Sequence, residues 1–324
     1  MVNLSLSIDK IQLNDIKILI MINESGSDLL PDSVYELHRE LIESQLHTSG
    51  VIVLRGFKVD NAERLRHFAS LTSPGLWRYL NGNSPRRAVL EGVYTASDYP
   101  QNLEISLHSE LSYARRWPQR IYFGCTRVAD SGGVLCIADA RSIFDRMPQH
   151  VIDIFTNRGG VRYRRVLPSR PGLGRTWQET FESHSLDEVQ QFCERQGIEL
   201  SLEEQDCIFL TNVGPLSIID PLSGRHIWFN QAEQFHPSSL PPQFFSSLMA
   251  MYKGRENLLP QNALFGDGTE IPDHILTTIR QVLHECRRTL PWQRNDVAVL
   301  NNNIIAHGRL PYTGARELYA VLTK

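Results

Sequence analysis

Hydrophobic residues recur along the chain at two spacings, and these spacings predict its helices and strands. Val34, Leu37 and Leu41 repeat at helical spacing, which predicts a helix that ends near Gly50. The next residues, GVIVLRG at 50–56, form a short, continuous hydrophobic run bounded by glycine. Such a run predicts a strand that is buried on both faces.

The same criteria predict the remaining elements. Further helices are predicted at 61–71, 140–157, 185–196, 241–252 and 271–290. Further strands are predicted at 121–128, 134–138, 207–211, 226–229, 297–300, 304–306 and 317–322. Residues 72–104 carry scattered Gly, Pro, Asn and Ser, which predicts a loop that closes over a substrate.

The order of these elements indicates the fold class. It lacks the steady alternation of strand and helix that a doubly wound fold requires. It favours a mainly β fold with helical insertions (α+β), arranged as a distorted jelly-roll barrel. We expect one domain over 1–324, with an N-terminal helical segment at 1–49, a helix-rich insertion at 140–290 and closing strands at 291–324.

Composition and charge exclude several classes of protein. Hydrophobic residues are 41% of the chain, charged residues are 21%, and the net charge of -3 contains no block of like charge. These values predict a soluble globular protein without a nucleic-acid or membrane partner. The 5 cysteines include no C-x-x-C pair, so neither a disulfide framework nor a zinc–thiolate site is expected. The absence of a signal-peptide pattern predicts a cytoplasmic protein. The sequence does not indicate an oligomeric state.

His108 and Glu110 are the first candidates for chemistry, because residues two apart on a strand point to the same face. His307, which follows two predicted strands, is the candidate third metal ligand. Two histidines and one carboxylate leave three positions open on octahedral iron(II), which suits oxygen chemistry. A second H-x-E, His38 to Glu40, lies in a predicted helix, where residues two apart diverge by about 200°. From the residues alone, His108 and Glu110 could instead lie on a solvated strand face, and His307 could be an ordinary surface or core histidine.

Three long segments carry a resemblance to a known family. Residues 107–141 contain LHSELSYARRWPQRIYFGC and DSGGVLCIADAR, residues 227–237 are IWFNQAEQFHP, and residues 291–316 are PWQRNDVAVLNNNIIAHGRLPYTGAR. They resemble the taurine dioxygenase and clavaminate synthase (TauD/TfdA) superfamily, especially its syringomycin-type branch of amino-acid hydroxylases. The resemblance implies a cupin-like double-stranded β-helix, iron(II), and the cosubstrates 2-oxoglutarate and dioxygen.

The resemblance also implies roles for particular residues. His108 and Glu110 take the positions of the family's H-x-D/E pair, and His307 takes that of its distal histidine. Arg316 is the expected anchor for the distal carboxylate of 2-oxoglutarate, since a guanidinium binds a carboxylate with two parallel hydrogen bonds. Arg309 is the competing candidate for this role.

One position departs from the family pattern in a way that affects chemistry. The branch usually has G-G-E-T, and its threonine hydrogen-bonds the cosubstrate, whereas this chain has Leu135 at that position. A lost hydrogen bond to a charged group costs about 1.5–3 kcal/mol. The departure predicts weaker 2-oxoglutarate binding or a compensating donor elsewhere.

The expected substrate is a small molecule, either an amino acid or an intermediate derived from one, free or bound to a carrier protein. Arg86 and Tyr94 are candidates for binding its carboxylate, and Trp228 and Asn230 are expected near the site. Hydroxylation, desaturation, epoxidation and cyclisation all remain open outcomes. Two other functions are also open: a non-catalytic binding protein of the same fold, and a zinc hydrolase with the same three ligands.

Overall fold

The computed structural model describes residues 6–26, 28–172, 174–202 and 207–324, so positions 1–5, 27, 173 and 203–206 of the predicted segments lie outside the described residues. The strands are β1 (Leu6–Leu13), β2 (Ile16–Asn23), β3 (Val51–Arg55), β4 (Ala88–Leu90), β5 (Val93–Thr95), β6 (Ile105–His108), β7 (Arg120–Arg127), β8 (Ser131–Gly132), β9 (Leu135–Asp139), β10 (Val161–Pro168), β11 (Glu199–Ser201), β12 (Cys207–Gly214), β13 (Ser217–Ile219), β14 (His226–Trp228), β15 (Gln261–Phe265), β16 (Arg288–Leu290), β17 (Val297–Asn301), β18 (Ile305–Arg309), β19 (Tyr312–Thr313) and β20 (Glu317–Thr323).

The helices are α1 (Pro31–Thr48), α2 (Ala62–Thr72), α3 (Ala140–Arg146), α4 (Gln149–Asn157), α5 (Trp177–Phe181), α6 (Leu186–Gln196), α7 (Ala232–Phe235), α8 (Pro242–Met251) and α9 (Asp273–Cys286). Short 3-10 helices lie at Pro237–Ser239 and Glu256–Leu258. Within the described ranges, no helix has the length and apolar character needed to cross a bilayer.

The strands form two main sheets and three smaller groups. The large sheet has eight strands in the order β1-β2-β3-β17-β7-β20-β5-β4, and a four-stranded sheet has the order β16-β9-β18-β6. A second four-stranded sheet, β11-β12-β10-β15, and the pairs β13-β14 and β19-β8 complete the topology. Strands outnumber helices in the part of the chain that the structure describes, and the helices lie between strands along the sequence. This arrangement confirms the predicted fold class.

The centre of the large sheet is buried on both faces. Val51 and Val53 of β3 join the central hydrophobic core, whereas Ile52 and Leu54 join an outer core that includes residues of α1 and α2. Because side chains alternate between the faces of a strand, this double burial requires a continuous hydrophobic run. The run at 50–56 has that character, as predicted.

The central core lies between the large sheet and the sheet β16-β9-β18-β6. It contains residues of β7, β17 and β20 from the first sheet and residues of β9 and β18 from the second. The ring of Phe123 on β7 lies 5.4 Å, centroid to centroid, from the ring of His307 on β18. The two sheets thus meet where the candidate site lies.

Three predicted segments differ from the structure. The expected helical segment at 1–49 begins instead with the hairpin β1–β2, whose second strand pairs in parallel with β3. The predicted helix at 140–157 is interrupted between α3 and α4, because Pro148 disfavours helical geometry in the residue before it. The insertion at 140–290 also carries the sheet β11-β12-β10-β15.

Candidate functional site

Three buried side chains from distant parts of the chain converge beside strands β6 and β18. His108 is the last residue of β6, and its Cα lies opposite that of His307 in the antiparallel pair. Glu110 follows two residues after His108. The nitrogen and oxygen atoms that these three residues offer to a metal lie within 4.8 Å of one another. One ion bound between them would contact all three.

Glu110 reaches this position from a turn and not from a strand. Strand β6 ends at His108, and Leu111 has a left-handed backbone with φ of 57°. The argument that His108 and Glu110 share one face of a strand is therefore wrong, although both side chains do reach the same place. The backbone of Glu110 is held by the side chain of Asn302, a fully buried residue that sequence reasoning missed. The run of three asparagines at 301–303 was the available signal.

The two histidines are held in the neutral form. Nδ1 of His108 lies 2.9 Å from the carbonyl oxygen of Ser106. Nε2 of Gln234, a donor, lies 3.1 Å from the same nitrogen. The carbonyl only accepts and is the nearer of the two, which favours a proton on Nδ1 and leaves the Nε2 lone pair for a metal. Burial lowers the pKa of His108, although the charge of Glu110 opposes this. Burial, and then the neighbouring His108 and Arg86, hold the pKa of His307 well below its usual value.

The carboxylate of Glu110 has two protein partners. It forms an ion pair with Arg86, and the side chains of both residues are only 3% exposed. The hydroxyl of Tyr79 donates to the other carboxylate oxygen over 3.3 Å, and the Tyr79 ring also lies under the Arg86 guanidinium, 4.6 Å away. Burial favours loss of the Arg86 charge, but the Glu110 charge raises the Arg86 pKa above its usual value. Nε and Nη1 of Arg86 have no hydrogen-bond partner among the described residues.

A small cavity of about 40 Å³ lies against the two histidines. Phe123 and Leu318 of the large sheet form part of its wall, and three arginines, Arg86, Arg309 and Arg316, also line it. Of the described residues in this wall, none carries a carboxylate, so the cavity suits an anion. Its free volume is that of a few water molecules.

The two candidate anchors, Arg309 and Arg316, have different surroundings. Arg309 donates hydrogen bonds to the backbone carbonyls of Tyr99, Pro100 and Leu103, at 3.2, 2.7 and 2.7 Å. Arg316 has no ion-pair partner in the part of the chain that the structure describes. Burial lowers the pKa of Arg316 to about 10, so it is still charged at neutral pH. Arg309 thus holds the loop before β6, whereas Arg316 is available to a ligand.

The neighbours of Arg316 are small or flat. Its guanidinium lies 5.4 Å from the centroid of the Tyr312 ring. Gly133 has φ of 63°, and a Cβ at that position would lie 3.1 Å from Cδ of Arg316. Leu135, at the position where the family pattern has threonine, lines the same cavity.

A much larger cavity, of about 990 Å³, adjoins the small one at His108. The amide side chains of Gln231, Gln234 and Gln261 contribute to its wall, together with the carboxylate of Glu233. The charge of Glu233 is paired within the protein: its carboxylate accepts hydrogen bonds from the Ser106 hydroxyl at 2.7 Å and from Nε of Arg280 at 2.9 Å. Cavities of this size hold ligands of several hundred daltons.

The predicted substrate residues lie in different places. Arg86 lines the small cavity. Tyr94 is buried, and its hydroxyl accepts the backbone N–H of Tyr79 over 2.9 Å. Trp228 belongs to the central core, and the side-chain amide of Asn230 is bonded to nearby backbone groups. Of the described residues that line the two cavities, none is Tyr94, Trp228 or Asn230.

Comparison with known proteins identifies the family. The family model described as taurine catabolism dioxygenase TauD, TfdA family, matches residues 23–322. The chain belongs to the TauD/TfdA family. It is 28% identical to the dapdiamide synthesis protein DdaC of Enterobacter agglomerans over 302 residues, 93% of this chain and 90% of that protein. It is 30% identical to a clavaminate synthase-like protein of Arabidopsis thaliana over 300 residues, 88% of this chain and 85% of that protein.

Solved structures share the fold of this TauD/TfdA family member. PvcB from Pseudomonas aeruginosa matches with a TM-score of 0.55 and 14% identity, over 98% of this chain and 91% of that chain. AAD-2, in complex with Mn(II) and N-oxalylglycine, matches with a TM-score of 0.54 and 15% identity, over 98% and 97%. The predicted double-stranded β-helix is confirmed.

As a TauD/TfdA family member, the protein is an Fe(II)- and 2-oxoglutarate-dependent dioxygenase, which confirms the predicted enzyme class and cofactors. Its own residues fit these groups. Two neutral imidazoles and a carboxylate are the donor set that non-haem iron(II) oxygenases use. A cavity beside them with three arginines in its wall matches the charge of a dicarboxylate. The zinc hydrolase alternative has no support from the family.

Proposed function

We propose that His108, Glu110 and His307 hold the iron(II), and that Arg316 binds the distal carboxylate of 2-oxoglutarate. The observation that carries this proposal is the convergence of three buried ligand atoms, within 4.8 Å of one another, beside a cavity lined by a charged arginine without an ion-pair partner. Arg309 adds a second positive charge to the same wall while it holds the neighbouring loop.

The iron and 2-oxoglutarate supply the oxidising chemistry: in a hydroxylation, R–H, O2 and 2-oxoglutarate give R–OH, succinate and CO2. The chain's own residues bind and orient these groups. Ser106 fixes the ring nitrogen with which His108 faces the metal. Tyr79 and Arg86 hold the carboxylate of Glu110 in one orientation. Burial of the ligand atoms excludes bulk water, which strengthens these polar contacts.

We further propose that the substrate is an amino acid or an intermediate derived from one, free or carrier-bound, in natural-product biosynthesis. The relative named as a dapdiamide synthesis protein supports this proposal. The large cavity, about 990 Å³, exceeds what a free amino acid needs and favours a longer intermediate. The amide nitrogens of Gln231, Gln234 and Gln261 already donate to backbone carbonyls, and the Gln261 oxygen accepts from Asn83. The amide oxygens of Gln231 and Gln234 are left to accept an N–H of such a molecule.

The four predicted substrate residues remain proposals with unequal support. Arg86 is the best supported, because it has unpartnered nitrogen atoms and lines a cavity beside His108. Tyr94, Trp228 and Asn230 are already engaged within the protein, so any effect on the substrate would be indirect.

Two broader expectations also stand as proposals. A single oxygenase domain over 1–324 is supported by one hydrophobic core that includes residues from Ile16 to Leu322. A cytoplasmic location is supported by five free cysteines, since thiols persist in a reducing compartment.

The test is anaerobic titration of iron(II) and 2-oxoglutarate into the purified protein while the weak visible charge-transfer band of the chelate is followed. We expect a band in the wild type, none in His307→Ala, and a greatly raised 2-oxoglutarate concentration requirement in Arg316→Gln. Lys10 is an exposed cation in β1, outside the residues that line either cavity, and Lys10→Gln is the control that should titrate like the wild type.

A second stage admits oxygen with candidate amino acids and dipeptides and measures succinate. Substrate-stimulated succinate release supports catalysis. A band without succinate release under any substrate would favour the non-catalytic binding protein. The absence of any band in the wild type would contradict the site itself.

A further inference from the structure

Trp292 presents a buried hydrogen-bond donor without a partner. Trp292 is 8% exposed, and its indole Nε1 has no hydrogen-bond partner among the described residues. Buried donors are nearly always paired in folded proteins, so an unpaired donor on a residue of a cavity wall is free to bond a water molecule or a ligand group. Two other tryptophans show the usual pattern: Nε1 of Trp117 donates to Asn303 at 2.7 Å, and Nε1 of Trp177 donates to Ser169 at 3.0 Å.

The unpaired indole belongs to the cavity that Arg316 lines. Trp292, Arg316 and Leu135 are all in its wall. Leu135 lies opposite Leu290 in the pair of β9 and β16, and Trp292 follows Leu290 by two residues. The strand pairing thus brings Trp292 close to the position at which the family pattern has a threonine hydroxyl, and both residues line the same cavity.

We propose that the indole N–H of Trp292 donates a hydrogen bond to the distal carboxylate of 2-oxoglutarate, together with Arg316, and replaces the hydroxyl that Leu135 lacks. This inference rests on the proposed function of the cavity. A carboxylate has four lone-pair positions, so it accepts from a guanidinium and from an indole at once. Trp292 is thus a cosubstrate-binding residue of this chain.

The other side chains of the small cavity with unpaired donors are less suited to bind the distal carboxylate of 2-oxoglutarate. Arg86 is tied to Glu110, which places its guanidinium at the metal-binding end. Arg309 uses both terminal nitrogens for backbone carbonyls of the loop before β6 and leaves only Nε without a partner. Trp292 alone among these side chains is uncharged and has a single donor to offer.

The decisive experiment compares 2-oxoglutarate with 2-oxobutanoate, which keeps the metal-binding end and lacks the distal carboxylate. Dissociation constants come from the anaerobic charge-transfer band with iron(II). Trp292→Phe removes the N–H and keeps most of the ring. We expect it to raise the Kd of 2-oxoglutarate about tenfold or more and to leave that of 2-oxobutanoate within about twofold.

Rescue and control variants separate binding from folding. Leu135→Thr in the Trp292→Phe background restores a donor at the family position, and we expect most of the lost affinity to return. Trp177→Phe is the matched control, because it removes an indole that is satisfied elsewhere; its Kd for 2-oxoglutarate should equal that of the wild type. An unchanged Kd in Trp292→Phe, or an equal loss for both ligands, would overturn the inference.

A measurement on the unmutated chain covers the case in which Trp292→Phe does not fold. In the zinc(II)-loaded, 15N-labelled protein, each of the 5 tryptophans gives one indole N–H resonance. Addition of 2-oxoglutarate should shift the Trp292 resonance downfield and slow its hydrogen exchange, while that of Trp177 stays in place. A Trp292 resonance that does not respond to saturating ligand would contradict the inference. Absence of ligand binding in the wild type would instead contradict the proposed function.

Discussion

The side chain of Asn302 and the backbone of Glu110 are joined by two reciprocal hydrogen bonds. Oδ1 of Asn302 accepts the N–H of Glu110 at 2.7 Å, and Nδ2 of Asn302 donates to the carbonyl of Glu110 at 3.0 Å. The same amide nitrogen donates to the carbonyl of Pro118 at 2.8 Å. One buried amide therefore fixes the turn that carries the carboxylate ligand.

Replacement of Asn302 by leucine should damage both stability and metal binding. The change leaves three buried backbone groups without partners, so we expect a loss of about 2–4 kcal/mol in the free energy of unfolding. Urea denaturation with a chelator present measures this loss, and a Mn(II) titration of the folded protein measures the fall in metal affinity. Asn257→Leu, at an exposed position, is the comparison; an equal effect there would show that Asn302 has no special role.

Arg316 and Arg309 should respond in opposite ways to replacement by glutamine. Arg316→Gln should raise the Kd of 2-oxoglutarate about a hundredfold, since a buried charge partner is lost, and should leave stability unchanged or slightly higher. Arg309→Gln should lower stability, because the carbonyls of Tyr99, Pro100 and Leu103 lose their donor. Isothermal titration and urea denaturation of both variants separate the two roles. A reversed pattern would assign the anchor to Arg309.

Gly133→Ala should weaken 2-oxoglutarate binding. The new methyl group would press on Arg316, and the left-handed backbone adds about 1 kcal/mol of strain. Gly159 has φ of 77° with nothing within 4 Å of an added Cβ, so Gly159→Ala carries the same backbone strain without the contact. We expect a similar loss of stability in both variants and a raised Kd only in Gly133→Ala. Equal Kd values would show that Gly133 does not position Arg316.

The metal-free protein should lose stability on mild acidification. The folded-state pKa of His307 lies well below the ordinary value of 6.5, so below pH 6.5 the unfolded chain binds a proton that the folded chain does not. The free energy of unfolding then falls as pH decreases, by at most about 1.4 kcal/mol per pH unit for this residue. Urea denaturation between about pH 7.5 and 5.5 should show a shallower slope in His307→Gln. A slope in His307→Gln equal to that of the wild type would contradict this role of His307.

The chemistry of the site was more predictable than its geometry. His108, Glu110, His307 and Arg316 were proposed from their residue types and from a family resemblance, because metal ligation and carboxylate binding demand few side chains. The structure brings the first three together and has Arg316 in the wall of the adjoining cavity. The turn at Glu110 was not predicted, since it depends on hydrogen bonds to a residue 192 positions away in the sequence. Local patterns carry no information about such a partner.

The N-terminal hairpin was missed for a related reason. Ile18 and Ile20 of β2 face the central core, whereas Leu19 and Met21 face the outer core. Double burial removes the alternation that identifies an isolated strand, and the pairing partner of β2 is supplied by β3. The Trp292 donor was likewise invisible before the structure placed it beside Leu135.

The pairing of His108 with His307 has a consequence for biosynthesis of the enzyme. Strand β6 is made early and β18 late, so a nascent polypeptide holds two of the three iron ligands long before the third exists. A site with two of the three proposed ligands binds iron more weakly. Arg316, the proposed anchor of the cosubstrate, is also synthesised late. On the proposed ligand assignment, the complete iron site forms only after β18 has been synthesised and has paired with β6.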